Sequence, residues 1–340
     1  MIADPNRHPF WDNTRLVLIV LVVFGHLASM LEDQHPFLAP LNAALTVWRM
    51  PLMAFVAGTF ARAQRSTGWQ ERLVVQLLLP YVILQALFGW YYVEAIQAEG
   101  RVRALTPLYT LWFLLALFWW HLCLPWVLRL RHPLWLALVV ALLAGCFDGF
   151  GERLSASRAM VFFPLFLLGH LLARGDRSPP VRLRHAVALG MLVPGLLTLT
   201  LWGDDALLIQ LARGSSSYGE MGFDSLLVGA AARLLVLLAA VWFGAALLSL
   251  VPLRRHRWTA LGERTLYIYL LHGVTLRTLE YLGVFRDASL PWALTLLLLL
   301  PPLLAGLLAS EPVMKATRWA IEGRVWWAAK AWRQRRRTSA

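Results

Sequence analysis

The chain has 340 residues, of which 59% are hydrophobic and only 15% are charged. About a quarter of the residues in a soluble domain are charged, so this composition excludes an ordinary soluble protein. The net charge of +13 does not indicate a nucleic-acid partner, because the basic residues lie in short loops and in a C-terminal tail. Two cysteines are too few for a disulfide framework in a chain of this length.

Long apolar runs predict an all-α polytopic membrane protein. A helix needs about 20 residues to cross a hydrocarbon core of about 30 Å. The sequence carries no nucleotide-binding loop, no serine-hydrolase elbow and no metal-ligand motif, so we expect no metal site and no bound cofactor. The runs predict about ten transmembrane helices, at about 14–31, 41–61, 72–93, 109–128, 134–147, 159–173, 186–202, 225–250, 265–282 and 292–309.

The distribution of Arg and Lys predicts the orientation of the chain. Most basic residues fall on one side when the spans alternate, and that side is cytoplasmic by the positive-inside rule. Both termini are then cytoplasmic. We expect a transmembrane domain over 1–310 and a basic amphipathic tail over 311–340, which lies as an interfacial helix on anionic membrane lipids. The outer segment 203–224 is either a substrate-facing loop or a solvated connector.

The first span carries an arginine and a histidine on one helix face. His26 follows Arg15 by eleven residues, which is three turns plus about 20° and a rise of about 16 Å. Arg15 therefore lies at the cytoplasmic mouth, and His26 lies beyond the membrane centre. Asp12 precedes Arg15 by three residues and is a candidate helix cap or ion-pair partner.

Three later spans also carry ionisable or polar groups, which are costly in a bilayer and commonly functional. Arg49 and Arg233 enter their spans from the outer side and reach a depth of about 12 Å, near the level of His26. Tyr269 and His272 lie one helical turn apart in the ninth span. Interhelical hydrogen bonds, carbonyl partners or tight packing are the alternative explanations for these groups.

A basic loop follows the second span. This loop and the start of the third span place three cations beside the cytoplasmic mouth: Arg62, Arg65 and Arg72. Such cations either bind the phosphates of an anionic donor or only set the topology of the chain.

Several motifs occur in a characteristic order along the chain. The pattern D-x-x-R-x10-H is formed by Asp12, Arg15 and His26. It is followed by WRMPLMAFVAGTFARA, RLVVQLLLPYV, TPLYTLWFLLALFWW, FFPLFLLGHLL and ALGERTLYIYLLHG. In this order and spacing, over about residues 10–310, the chain resembles membrane-bound acyltransferase family 3, which includes fucose 4-O-acetylase-like proteins that acylate sugars and polysaccharides.

The resemblance implies a multi-pass enzyme of the bacterial cytoplasmic membrane. It implies acetyl-CoA or another acyl-CoA as the cytoplasmic donor substrate, and a sugar, glycan or glycoside as the acceptor on the outer side. It also implies a catalytic role for His26 with Arg15 as its companion. The letters of the family's RxxR motif occur at Arg62 and Arg65, at the end of the second span. At the start of the third span, where the motif is expected, the basic residue is Arg72.

One position departs from the family pattern. Arg49 stands before Met-Pro, where members often have His.

Acyl transfer to a hydroxyl needs a base and a donor for the developing oxyanion. His26 is the predicted base, or a transient carrier of the acyl group, and Arg15, Arg62, Arg65 and Arg72 are the candidates for the CoA phosphates. The oxyanion and acceptor-site candidates are Arg49, Arg233, His272 and Tyr269. The alternative function is a transporter or flippase that uses His26 and His272 as proton relays. The sequence indicates no oligomeric state.

Overall fold

A computed structural model describes residues 8–62, 67–95, 105–149, 151, 153–174, 182–201 and 205–323. This part of the chain is helical and contains no strand. The α-helices are α1 (Pro9–Leu31), α2 (Leu38–Thr59), α3 (Trp69–Leu73), α4 (Leu79–Trp90), α5 (Trp112–Val127), α6 (Pro133–Leu143), α7 (Ala156–Leu172), α8 (His185–Thr200), α9 (Asp205–Arg213), α10 (Leu226–Leu250), α11 (Thr259–Glu263), α12 (Thr265–Tyr281), α13 (Leu290–Leu308) and α14 (Glu311–Ile321).

Within the described ranges, six helical stretches are long and apolar enough to cross a membrane. They are Pro9–Leu31, Leu38–Thr59, Trp69–Glu94, Arg153–Leu172, Leu226–Leu250 and Leu290–Leu308. Three shorter apolar helices are Trp112–Val127, Pro133–Cys146 and His185–Thr200. The all-α, multi-pass membrane architecture predicted from the sequence is therefore confirmed. The count of ten spans and the cytoplasmic position of the termini stay predictions.

Helix α2 lies at the centre of the bundle. In its most apolar stretch 83% of the residues are buried, against 28% in the corresponding stretch of α10. It packs most extensively against α7 and α1. Glycines allow the α2–α7 approach, because a Cβ on Gly58 would lie 1.9 Å from the Phe166 carbonyl oxygen and one on Gly169 would lie 2.0 Å from that of Phe55. This close packing fixes which face of α2 meets α1.

Helix α1 begins earlier than the first predicted span. Pro9 is its first residue, and the backbone N–H of Phe10 donates to Nδ1 of His8, which is the N-cap. Asp12 therefore lies inside the first turn and does not cap the helix. The start of α1 is also tied to the segment before α11, because Asn13 donates to the carbonyl oxygens of Pro252 and Arg254 at 2.8 and 2.9 Å.

The segment between α8 and α10 folds back onto the end of α6. The Ser217 hydroxyl donates to the Asp148 carboxylate, and the Glu220 carboxylate accepts from the backbone N–H groups of Gly149 and Ser217. Helix α9 lies within this segment. Residues 205–224 are thus an ordered part of the fold, and their position on the outer side stays a prediction.

Only the start of the predicted basic tail is described. Helix α14 packs against α4, and the Tyr267 hydroxyl donates to the Glu322 carboxylate just after it. Trp319 is exposed on this helix. Trp326, Trp327 and Trp332 lie outside the described residues, so the interfacial helix over 311–340 stays a prediction.

Candidate active site

His26 lies in the last third of α1, and two other rings lie against it. Its ring centroid is 5.1 Å from that of Tyr109 and 5.4 Å from that of His272. Tyr109 has a φ of 48°, a left-handed conformation that is strained for a residue with a side chain. Gly273 leaves the space for its ring, because a Cβ there would lie 2.7 Å from Cδ1 of Tyr109. Such strain persists only where the surrounding contacts hold it, so Tyr109 is fixed beside His26.

His272 is fully buried and is oriented by its own helix. Its Nδ1 is 3.0 Å from the carbonyl oxygen of Ile268. Because a carbonyl only accepts, Nδ1 carries the hydrogen and donates it. In the neutral ring Nε2 is then an acceptor, and it has no hydrogen-bond partner among the described residues. Tyr269, one turn earlier, donates its hydroxyl to the carbonyl oxygen of Thr110.

A cavity of about 280 Å³ lies beside His26, at the end of the bundle where α1 and α12 end and α2 and α7 begin. Its wall is unusually polar for the interior of an apolar bundle. The polar side chains that line it belong to His26, Ser29, Asn42, Thr46, Arg49, Tyr109, Thr110, Arg158, Arg213, Tyr269 and Arg277. A second cavity of about 250 Å³ lies next to the first and shares Tyr109, Trp112 and Arg158 with it.

Arg49 reaches the cavity from α2 through a gap that only glycine provides. Its Nη1 donates to the side-chain oxygen of Asn42 at 3.0 Å, and Asn42 donates to the Glu32 carboxylate at 2.7 Å. A Cβ on Gly25 would lie 1.3 Å from this Nη1. Gly25 immediately precedes His26, so the guanidinium lies directly against the backbone that carries the histidine.

Three further guanidinium groups line the same cavity. Arg277 pairs with Glu280 at 2.6 Å, and its Cζ is 5.0 Å from the Tyr109 ring centroid. The Cζ of Arg158 is 5.2 Å from the Trp112 ring centroid. Arg213, the last residue of α9, is exposed. Four cations from four helices therefore meet at a cavity whose described lining residues include no carboxylate.

Arg15 lies at the other end of α1. Its Nη1 is 3.4 Å from the Asp12 carboxylate, and its Cζ is 3.7 Å from the ring centroid of Phe60, the residue after α2. The ion pair predicted between Asp12 and Arg15 is confirmed. The continuous helix between Arg15 and His26 gives the predicted rise of about 16 Å. Arg15 is therefore remote from the cavity.

The other predicted phosphate-binding cations lie near the same end. Arg72 is in α3, and its Nη2 donates to the carbonyl oxygen of Thr67 at 3.1 Å. Arg62 is exposed just after α2, and Arg65 lies outside the described residues. Their role in binding a donor stays a prediction.

Of the predicted acceptor-site candidates, Arg49 and Tyr269 line the cavity, and His272 packs against the His26 ring without lining it. Arg233 lies elsewhere. It is fully buried in α10, its Nη2 donates to the Ser216 carbonyl oxygen at 2.7 Å, and its Cζ is 4.7 Å from the Tyr218 ring centroid. Tyr218 in turn donates to the Leu142 carbonyl oxygen at 2.7 Å. Arg233 does not line the cavity, because equal depth along two helices does not make their side chains face each other.

The sequence reasoning missed several residues of the cavity wall. The alternation of spans puts Arg158 and Arg213 among the outer-side cations, and Arg277 lies three residues before Glu280, a ready ion-pair partner, so none of the three predicts a site. Arg158 and Arg277 lie near the ends of predicted spans on the side that His26 approaches, which is the signal they carry, whereas Arg213 lies in the middle of the 203–224 segment and carries none. Tyr109 and Asn42 carried no signal of their own. No group of three or more His, Cys, Asp or Glu side chains that is able to hold a metal occurs in the described ranges.

Comparison with known proteins gives one match. A family model described as an acyltransferase domain, acyltransferase family 3, matches residues 8–311. No curated protein and no solved structure matches the chain. The matched region contains α1 to α13 and the whole cavity around His26.

Proposed function

The chain belongs to acyltransferase family 3, and from this premise we propose that it transfers an acyl group from acyl-CoA to a hydroxyl of a sugar or glycan acceptor. It is an acyltransferase enzyme and a multi-pass membrane protein. The transfer to a hydroxyl is supported by the position of His26. This proton acceptor belongs to an apolar helix and lies at the wall of a polar cavity.

His26 is the proposed base. An alcohol is a weak nucleophile at neutral pH, and a neutral imidazole within hydrogen-bond reach accepts its proton as the oxygen attacks. The acceptor oxygen bonds to the thioester carbonyl carbon, the carbon–sulfur bond breaks, and the proton passes from His26 to the leaving thiolate. The products are an O-acyl ester and free CoA.

The cations around the cavity are suited to the charge that develops in this reaction. The oxyanion of the tetrahedral intermediate needs donors that are already in place. Arg49 is buried next to His26 and has only a neutral amide as its described hydrogen-bond partner, so we propose that it supplies such a donor. Tyr269 completes the wall, and the buried His272, which packs against the His26 ring, helps to orient that ring.

The donor approaches from the opposite end. Arg15 lies near the start of α1 and Arg72 near the end of α3, and CoA phosphates are ligands for such cations. The uncharged pantetheine arm then extends about 16 Å along α1 to bring the thioester to His26. We propose that this end faces the cytoplasm of a bacterial cell, with acetyl-CoA as the donor, and that the acceptor enters from the outside.

The test uses the purified full chain in proteoliposomes with acetyl-CoA and a glycan extract from the source cells. We expect release of CoA thiol together with acetyl ester in the glycan, both abolished in His26→Ala. His185→Ala is the matched control, because His185 is exposed at the start of α8 and remote from the cavity, and it should retain full activity. Thermal unfolding of both variants should match the unchanged protein.

Two outcomes contradict the proposal. Full CoA release and ester formation in His26→Ala would remove His26 from the chemistry. Movement of a glycan across the bilayer without any CoA release would favour the transporter that the sequence left as an alternative.

A variant of the experiment separates a base from an acyl carrier. The protein is mixed with radiolabelled acetyl-CoA without acceptor and quenched. Label that stays on the chain and is lost in His26→Ala indicates an acyl-histidine, and absence of label indicates direct attack.

A further inference from the structure

The wall of the His26 cavity carries more positive charge than acyl transfer between neutral groups requires. Arg49, Arg158, Arg213 and Arg277 reach it from α2, α7, α9 and α12. One cation beside His26 is enough to stabilise an oxyanion. Four helices that each bring a guanidinium to one cavity indicate a ligand with its own negative charge.

Two of these arginines, Arg277 and Arg49, differ in their described partners. Arg277 is paired with Glu280. Arg49 is only 7% exposed and donates to the neutral side-chain amide of Asn42. The Glu32 carboxylate accepts a hydrogen bond from Asn42 and not from Arg49. A buried cation is costly unless it is paired. An anionic ligand elsewhere in the cavity would offset part of this buried positive charge and leave the Arg49 guanidinium for the oxyanion.

We propose that the acceptor is acidic: a sugar or glycan that carries a carboxylate or phosphate close to the hydroxyl that is acylated. This inference rests on the proposed acyl transfer. Guanidinium groups bind both anions through paired charge-assisted hydrogen bonds, which orient the ligand as well as attract it. The acidic group is held by Arg158, Arg213 and Arg277, and this fixes the neighbouring hydroxyl at His26.

The acceptor, and not the donor, is the source of this negative charge. The phosphates of acyl-CoA have their own cations near Arg15, about 16 Å from His26 along α1. The pantetheine arm and an acetyl group carry no charge into the cavity. The second cavity, which shares Tyr109, Trp112 and Arg158 with the first, offers room for a further unit of an acidic glycan.

The test begins with the natural acceptor. Membranes from the source cells, with the unchanged protein or with His26→Ala, receive radiolabelled acetyl-CoA. The labelled product is isolated, and its acceptor is run on an anion exchanger after alkaline removal of the ester. We expect label that depends on His26 and an acceptor that is retained as an anion, with carboxylate or phosphate identified by mass spectrometry.

The outcomes separate this inference from the proposed function. A neutral acceptor with His26-dependent label would overturn the acidic acceptor and leave acyl transfer standing. Loss of both label and CoA release in all samples would overturn the acyl transfer itself, and the acidic acceptor with it. A neutral acceptor that receives a dicarboxylic acyl group from its CoA thioester would place the charge on the donor and overturn the inference.

Variants then test the arginines themselves, with purified protein and the acceptor isolated in the first step. Arg158→Gln and Arg277→Gln should each raise the KM for this acceptor at least about tenfold and leave the KM for acetyl-CoA unchanged. Arg286→Gln is the matched control, because Arg286 is an exposed residue after α12 and outside the cavity lining. An equal KM for the acceptor in all three variants would contradict a role of these arginines in holding its charge.

Discussion

Two arginines buried in apolar helices, Arg49 and Arg233, have opposite surroundings. Arg233 is enclosed: a loop carbonyl accepts from it and the Tyr218 ring covers it, while its Nε and Nη1 have no hydrogen-bond partner among the described residues. Cation–π attraction thus replaces hydrogen bonds there. Arg49 lines a cavity. The comparison shows that a buried cation marks a candidate site only where space for a ligand lies beside it.

The largest effect is expected when the space that the Arg49 guanidinium occupies beside Gly25 is filled. Gly25→Ala would place a Cβ 1.3 Å from the present position of Nη1, so the guanidinium must leave its place beside His26. Because a displacement of about 1 Å at a reacting centre costs roughly a hundredfold, we expect kcat/KM to fall by at least about 100-fold. The measurement is CoA release in proteoliposomes.

The control for this variant is Gly306→Ala in α13. A Cβ on Gly306 has no atom within 4 Å, so this change should leave the activity as it is. Equal activity of the two alanine variants would show that Arg49 is free to move without consequence.

Removal of each arginine should separate chemistry from stability. Arg49→Met should lower kcat/KM by at least about 100-fold with an unchanged melting temperature, because it removes a donor at the cavity. Arg233→Met should lower the free energy of unfolding by about 1–3 kcal/mol, because it leaves the Ser216 carbonyl unsatisfied, while the folded fraction keeps its activity. The measurements are initial rates and thermal unfolding in the same detergent.

The opposite pattern would contradict the comparison. If Arg233→Met were inactive but fully stable, the loop around Ser216 would have to take part in the reaction.

The smallest expected effect concerns the ring that covers Arg233. Tyr218→Phe keeps the ring and loses the hydrogen bond to the Leu142 carbonyl oxygen. We expect a loss of about 1 kcal/mol in the free energy of unfolding and no change in acyl transfer. A drop in the rate without a drop in stability would show that Tyr218 acts on the cavity.

Much of the fold follows from apolar runs, because a helix in a bilayer is specified by length and composition. Each predicted span lies on a helix of the structure, with ends that differ by a few residues. Helix α1 starts at Pro9, because His8 and the first turn extend it past the apolar run. The short helices α6 and α8 show why the number of spans stays a prediction, since length alone does not decide whether they cross.

The site follows from the sequence only along single helices. The eleven-residue step from Arg15 to His26 and the i, i+3 step from Tyr269 to His272 fix their spacing, because both pairs share one helix. Contacts between helices depend on how each helix is rotated about its axis. A helix with apolar residues on all sides gives no sequence signal for that rotation. Depth along the helix therefore predicts both Arg49 and Arg233 as acceptor-site candidates. It gives no such prediction for Arg158 and Arg213.

The central claim is that donor and acceptor meet at His26. The most direct measurement is a structure of the full chain with the ketone analogue of acetyl-CoA, in which carbon replaces the thioester sulfur. We predict that the phosphates lie near Arg15 and that the ketone carbonyl carbon lies within about 5 Å of the His26 ring, since the hydroxyl must fit between them. A carbonyl group that ends outside the cavity lined by His26 and Arg49 would contradict the account.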